Sequence, residues 1–203
     1  WADYGDGEKG KACVATISGT SVSYGSTVTF SSTVTSGSKD STYDSSENKI
    51  LLAYRKDPSN SEVVAATISG TDISFGSPTS IYGSVFGAMN SIAIQYDSNA
   101  NKSLVIYKNP STGYPDSKVV SLSGTTVSLG SATTVFSGAF KALDTTFDSS
   151  NNKIVVGYQY DAGDELTRLV VATISGTSVS YGTAVSTGVG IRSDSVDSLH
   201  YNA

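Results

Sequence analysis

Three aspartates recur at a similar place along the sequence and could supply the carboxylates of a glycosidase. Asp40, Asp144 and Asp197 each lie a few residues before an aromatic residue that ends a short predicted strand. A pair of carboxylates can act on a glycosidic bond as acid and as base or nucleophile. The chain has one further segment of this kind, and it has Asn90 or Ala93 near the equivalent place. The set of carboxylates is therefore incomplete. Glycosidase is therefore the third candidate function.

The chain has few residues that could support histidine or cysteine chemistry. Cys13 and His200 each occur once, which excludes an intrachain disulfide and leaves any zinc site dependent on carboxylates. Ser195 and Asp197 lie near His200, but no Gly-x-Ser-x-Gly elbow accompanies them. The sequence therefore predicts a protein that is not an enzyme.

Two acidic segments that contain glycine are the candidates for a bound cation. Asp3 and Asp6 lie in one segment, and Asp161 and Asp164 lie at the equivalent place in the other. Oxygen-rich loops can hold Ca²⁺, but neither segment has the spacing of an EF-hand loop. Solvated turns are the simpler interpretation. No cofactor is predicted, and calcium at these four aspartates is the alternative.

Tyrosines could provide a surface for stacking on sugars. Most of the twelve recur at fixed positions of a repeat and are expected to pack in the core. Tyr4, Tyr114 and Tyr160 instead fall in segments that vary between repeats, where binding surfaces are usually built. These three residues are the predicted ligand-facing positions.

The charge and composition exclude two classes of partner. The formal net charge of −5 argues against binding to nucleic acid. No apolar stretch approaches the ~18 residues of a membrane span, so no membrane insertion is expected. The 37 serines, 22 threonines and 20 glycines are typical of short strands and tight turns.

A motif of ten residues occurs four times and organises the whole chain. Its copies cover residues 17–26, 68–77, 122–131 and 174–183. A second motif, an aromatic residue followed by aspartate and serine, keeps the same period and begins at residues 43, 96 and 147. Two motifs in phase establish a tandem repeat of about 51–54 residues.

Each repeat is expected to hold four strands. The first ends at the aromatic residue of the second motif, and an Asp-Ser turn follows it. The second strand is apolar on both faces at residues 50–54, 104–107 and 154–158, which indicates a central strand covered on both sides. A variable loop, such as 55–61 or 159–165, leads to a hairpin made by the third and fourth strands.

The hairpin pattern predicts a specific register. A two-residue turn at 18–19, with the glycine second, pairs Ala15 with Val22 and gives the hairpin one apolar and one hydroxylic face. The third copy departs from this pattern, because Lys118 would face Leu129.

The repeat predicts an all-β fold, a β-propeller-like array of four-stranded antiparallel blades, with another β-repeat array such as a solenoid as the alternative. Residues 1–203 would form a single β-repeat domain. Its parts are a partial blade at 1–37, blades at 38–86, 87–139 and 140–191, and the start of a blade at 192–203. Because both ends fall inside a blade, we expect a fragment of a longer array. Its exposed strand edges would recruit other protein chains or repeats.

The hairpin of residues 172–182, taken with residues 147–158, resembles a tandem β-repeat of appendage proteins of tailed bacteriophages and of some secreted bacterial proteins. The resemblance covers essentially the whole chain. It implies an extracellular or virion-surface location, as in a tail-fibre or adhesin module, and it carries no catalytic residues.

The expected function is therefore that of a non-enzymatic structural or adhesive module of an extracellular or virion appendage. The alternative is a secreted lectin-like propeller that binds cell-surface glycans through its loops.

Overall fold

The computed structural model describes residues 1–35, 37–56, 60–83, 91–161 and 166–190. Within these ranges the chain is mostly β-structure, with one short 3-10 helix at Tyr4–Asp6 and no α-helix. The all-β prediction is confirmed. In the same ranges, no helix has the length and apolar character needed to cross a membrane.

The described strands follow the predicted period of the sequence. The first repeat holds β1 (Ala2–Asp3), β2 (Lys9–Ala12), β3 (Ala15–Ser18), β4 (Ser21–Tyr24) and β5 (Val28–Val34). The second holds β6 (Lys39–Asp44), β7 (Lys49–Lys56), β8 (Asn60–Ser69), β9 (Asp72–Phe75) and β10 (Thr79–Gly83). The third holds β11 (Ile92–Asp97), β12 (Lys102–Lys108), β13 (Pro115–Ser123), β14 (Thr126–Leu129) and β15 (Thr133–Thr134). The fourth holds β16 (Phe140–Asp148), β17 (Lys153–Tyr160), β18 (Leu166–Ser175), β19 (Ser178–Tyr181) and β20 (Val185–Gly190).

Repeats two to four each form an antiparallel sheet that is four strands wide. In the second repeat β6 pairs with β7 and β7 pairs with β8. β9 pairs with the end of β8, and β10 pairs with its start. The fourth strand of the sheet is therefore broken into two segments. The third and fourth repeats have the same order. In the first repeat β1, β2 and β5 form one small sheet, and β3 and β4 form a separate hairpin.

The turn after each first strand is built by its aspartate. In the second repeat the amides of Ser46 and Glu47 donate to Asp44 Oδ1 at 3.0 and 3.2 Å. The same arrangement recurs at Asp97 and Asp148. An asparagine with positive φ closes the turn in each of these repeats: Asn48, Asn101 and Asn152. The structure thus confirms the predicted Asp-Ser turns.

The predicted hairpin register is wrong by two positions. Ala15 pairs with Tyr24, and Ile17 pairs with Val22. The turn residues are therefore Gly19 and Thr20, with the glycine first at a φ of 60°. A positive φ at the first position alone defines a type II′ turn, which places glycine there and not second.

This correction leaves the predicted faces intact, because a shift of two residues keeps every side chain on its side of the sheet. It also removes the apparent exception in the third copy, where Val120 and not Lys118 faces Leu129.

The core lies between successive sheets. Leu51 and Val63 of the second repeat pack against Val105, Val120 and neighbouring residues of the third repeat. A second cluster joins the other face of the third repeat to the fourth, and a smaller one joins the first repeat to the second. The second strand of a sheet contributes apolar side chains to the clusters on both of its faces, as predicted. Residues 104–107 are fully buried. Each sheet is therefore stabilised by its neighbours rather than by an internal core.

The first strands of the second and third repeats lie side by side. The Ile92, Ile94 and Tyr96 amides of β11 donate across to side chains of β6 and of Ser38, the residue just before it. Their acceptors are Ser38 Oγ at 3.2 Å, Asp40 Oδ2 at 2.8 Å and Thr42 Oγ1 at 3.0 Å. These bonds join two strands that belong to separate sheets.

Candidate binding surface

The loop between β1 and β2 presents the most exposed of the predicted ligand-facing tyrosines. Asp3 caps the short 3-10 helix by accepting the Gly5 amide at 3.0 Å. Gly7 and Glu8 then take positive φ values and return the chain to the sheet. Tyr4 is 79% exposed on this loop, so its ring is available to a ligand.

Lysines already compensate the two aspartates of this loop. Lys11 Nζ lies 2.7 Å from Asp3 Oδ2 and 2.9 Å from Asp6 Oδ2, and Lys9 Nζ lies 2.8 Å from Asp6 Oδ1. Hydrogen bonds from Lys9 and then Lys11 lower the pKa of Asp6 to about 2. A calcium ion here would have to displace both ammonium groups.

The second predicted calcium segment is only partly described. Asp161 pairs with Lys141 Nζ at 3.1 Å, and Asp164 lies outside the described residues. Among the residues that the structure describes, no three His, Cys, Asp or Glu side chains lie close enough together to hold a metal ion. Calcium at these aspartates stays a prediction.

Asn109 organises the loop of the third repeat, which carries Tyr114. Its side chain accepts the Ser111 amide at 2.9 Å and donates to Asp116 Oδ2 at 2.7 Å. Its carbonyl accepts the Gly113 amide, and its own amide donates to the Tyr114 carbonyl. The loop is thus fixed by its own polar groups, and Tyr114 is half-buried at its end.

Tyr160 lies in a strand and not in a loop, because β17 extends to this residue. The Arg168 guanidinium stacks over its ring, with the central carbon 4.3 Å from the ring centroid. The Phe136 ring lies 5.9 Å away and stacks in turn on Tyr158. Tyr160 therefore contributes to a packed aromatic cluster at the end of the sheet.

A cavity of about 260 Å³ lies between the first and second repeats. It is lined by Trp1, Lys11, Ala12, Phe30, Lys39, Asp40, Ser41 and Leu52. Aromatic walls with a few charged groups at the rim suit a polar ligand that also has apolar faces. No motif in the sequence predicts this cavity, because its residues come from two repeats whose packing is not encoded locally.

Asp40 and Asp144, two of the proposed glycosidase carboxylates, lie within electrostatic range of each other. Burial raises the pKa of Asp40, and the Asp144 carboxylate adds to that shift. The amides of Ile94 and Ser41, each at 2.8 Å, oppose the shift. Both carboxylate oxygens of Asp40 therefore have backbone partners, which is a structural use of the group.

The other residues considered for catalysis are separated or not described. Asn90, Asp197, Ser195 and His200 lie outside the described residues. Ala93 is buried in β11, and Cys13 is a free, half-buried thiol.

Comparison with models of known protein families finds no match, and neither curated proteins nor solved structures give one.

Proposed function

We propose that this chain is a β-propeller-like, non-enzymatic module with a structural or adhesive role in an extracellular or virion appendage. The observation that carries the proposal is a single inter-repeat contact, made three times along the chain. Gly25 packs on Thr71 of the next repeat, Gly76 on Thr125, and Gly130 on Thr177. A unit that stacks on its own kind through one repeated contact suits a structural module built from repeats.

The convergence of the first strands supports a radial, propeller-like arrangement. Side chains of β6 and of the preceding Ser38 accept hydrogen bonds from the amides of β11 in the next repeat. The Asp144 carboxylate of the fourth repeat also raises the pKa of Asp40 in the second repeat. First strands from three repeats therefore approach a common region, as blades do around the axis of a propeller.

Localisation on the native source tests the proposal. Antibodies raised against the purified chain should label appendages in immunogold electron microscopy of virions or of secreting cells. Labelling confined to the cell interior would contradict the assignment. So would release of sugar from a polysaccharide by the purified chain, if Asp144→Asn abolished that release.

Glycan binding is the second candidate, and the cavity beside Trp1 is the observation that favours it. A glycan array should give hits that Trp1→Ala removes, because Trp1 lines the cavity. Tyr43→Ala is the comparison variant, since Tyr43 is 54% exposed, close to the 52% of Trp1, but lines a separate cavity of about 280 Å³. An array without hits, or equal loss in both variants, would exclude this candidate.

A further inference from the structure

We propose that copies of this chain associate head to tail, the first-repeat hairpin of one copy packing on the last repeat of another. The surface concerned is separate from the loops and the cavity described above, so this inference goes beyond the proposed function. It extends to two molecules the contact that joins successive repeats within one.

The inter-repeat contact has a fixed backbone geometry. The glycine at the break of the fourth strand donates its amide to the third strand in repeats two to four, and to Val14, between β2 and β3, in the first repeat. The four bonds are Gly25 to Val14, Gly76 to Ala65, Gly130 to Val119 and Gly182 to Val171, at 2.8, 2.9, 2.8 and 2.9 Å. Because the bond is the same, Gly182 occupies the same local position as the other three glycines.

The surroundings of these glycines separate the last repeat from the others. A β carbon on Gly76 would lie 2.7 Å from the Thr125 carbonyl oxygen, and one on Gly25 or Gly130 would overlap the corresponding threonine. Among the described residues, a β carbon on Gly182 would meet only the Val171 carbonyl oxygen, at 3.8 Å. The last glycine therefore lacks the threonine that covers its counterparts.

In the first repeat, residues are exposed at the positions that contact the preceding repeat in the later copies. Thr20 is the turn threonine equivalent to Thr71, and Ile17 before it is 76% exposed, whereas the equivalent Ile68 is 45% exposed. Val22 beside it is 53% exposed, whereas the equivalent Val127 and Val179 are 7% and 8% exposed. We call Ile17, Thr20, Val22 and Tyr24 the head face.

The tail face comprises Val155, Val171 and Gly182, on the side of the fourth repeat that points away from the third. Val171 is 43% exposed, whereas the equivalent Val119 is 1% exposed beneath the fourth repeat. Val155 is half-buried, whereas the equivalent Leu104 is fully buried.

A second copy of the chain fits both faces because each face is one half of the internal interface. The head face offers the turn threonine and the apolar hairpin, and the tail face offers the open glycine and the valines. Every residue of β3 and β4 is exposed, so the two faces do not meet within the part of the chain that the structure describes. Pairing of two head faces would leave Gly182 uncovered.

Sedimentation velocity of two single variants tests the proposal. Gly182→Val should remove every species larger than a monomer, since the added side chain would take the place of Thr20. Val22→Arg should do the same by placing a charge in the apolar face. Ser23→Arg is the matched control on the opposite face of the hairpin, where the equivalent Ser74, Ser128 and Ser180 are all exposed, and it should associate as the wild type does.

Mixing the two variants provides the decisive measurement. Gly182→Val keeps a free head face and Val22→Arg keeps a free tail face, so the mixture should form a dimer and nothing larger. Circular dichroism of each variant should match the wild type. A wild type that stays monomeric at all concentrations, or oligomers unaffected by Gly182→Val, would overturn the proposal.

Discussion

The carbonyl oxygen of Thr125 lies 2.7 Å from the point that a β carbon on Gly76 would occupy. The two residues belong to different repeats, one at the break of a fourth strand and the other in the next hairpin turn. The contact therefore requires glycine for lack of space, and not for its backbone freedom, because Gly76 does not have a positive φ.

Gly76→Ala should destabilise the fold by forcing two sheets apart. The nearest atoms belong to the backbone and Cβ of Thr125, which cannot move away as the end of a flexible side chain can. Overpacking of this kind costs about 1–3 kcal/mol of unfolding free energy. Urea denaturation measures the loss, and Gly182→Ala should show almost none. Similar losses in both variants would contradict the inter-repeat contact.

Gly70→Ala should be destabilising for a different reason. A β carbon at Gly70 meets no atom within 4 Å, but the residue has a φ of 61°. A left-handed conformation costs a non-glycine residue roughly 1–2 kcal/mol. Gly182→Ala again provides the control, because its β carbon would make only an ordinary contact with the Val171 carbonyl oxygen at 3.8 Å, and its φ is not positive. Equal unfolding midpoints for the two variants would exclude the type II′ turn.

Asp97→Ala should weaken the turn that follows β11. Asp97 is buried and accepts the amides of Asn99 and Ala100 at 2.9 Å each. Loss of the acceptor should cost about 1–3 kcal/mol, since two hydrogen bonds to a buried carboxylate are removed. Asp148→Ala removes the same pair of bonds, together with the bond that Asn151 Nδ2 donates at 2.7 Å, at a turn whose bonds are exposed to solvent. We expect a smaller loss there by chemical denaturation, and the reverse order would be inconsistent with this account.

Asp144→Asn should lower the pKa of Asp40. Burial and the Asp144 charge both raise that pKa above 3.8 in the folded protein. Ionisation of Asp40 therefore opposes folding, so its contribution to stability falls as pH rises through the interval between 3.8 and the raised pKa. The variant should make this fall smaller. NMR titration of the Asp40 carboxyl carbon measures the shift directly, and an unchanged midpoint would show that the two carboxylates are uncoupled.

The sequence predicted the parts of the fold that depend on local pattern. The apolar run at residues 50–54 indicated a central strand, and the Asp-Ser segments indicated turns. Both features depend on residues that are adjacent in the sequence. The hairpin register was missed because both alternatives place Ile17 and Val22 on the same face. Only the φ of Gly19 distinguishes a glycine in the first turn position from one in the second.

The candidate binding surface was less predictable, because it depends on contacts between repeats. Tyr4 lies in a loop as its variable segment indicated, but Tyr160 remains in a strand beneath Arg168. The cavity beside Trp1 needs Phe30 from the same repeat and Asp40 from the next. The spacing of these residues along the chain does not indicate that they lie close together in the fold.

The bonds between β6 and β11 also bear on aggregation. An edge strand normally offers unpaired N–H groups to any incoming strand, which is how cross-β fibrils grow. In β11 alternate amides are already taken by hydroxyl and carboxylate oxygens of the neighbouring sheet, as at Ile94 and Asp40. These amides should exchange slowly with solvent deuterium although they lie at an edge. Short polar side chains here protect a protein rich in β-structure from pairing with foreign chains.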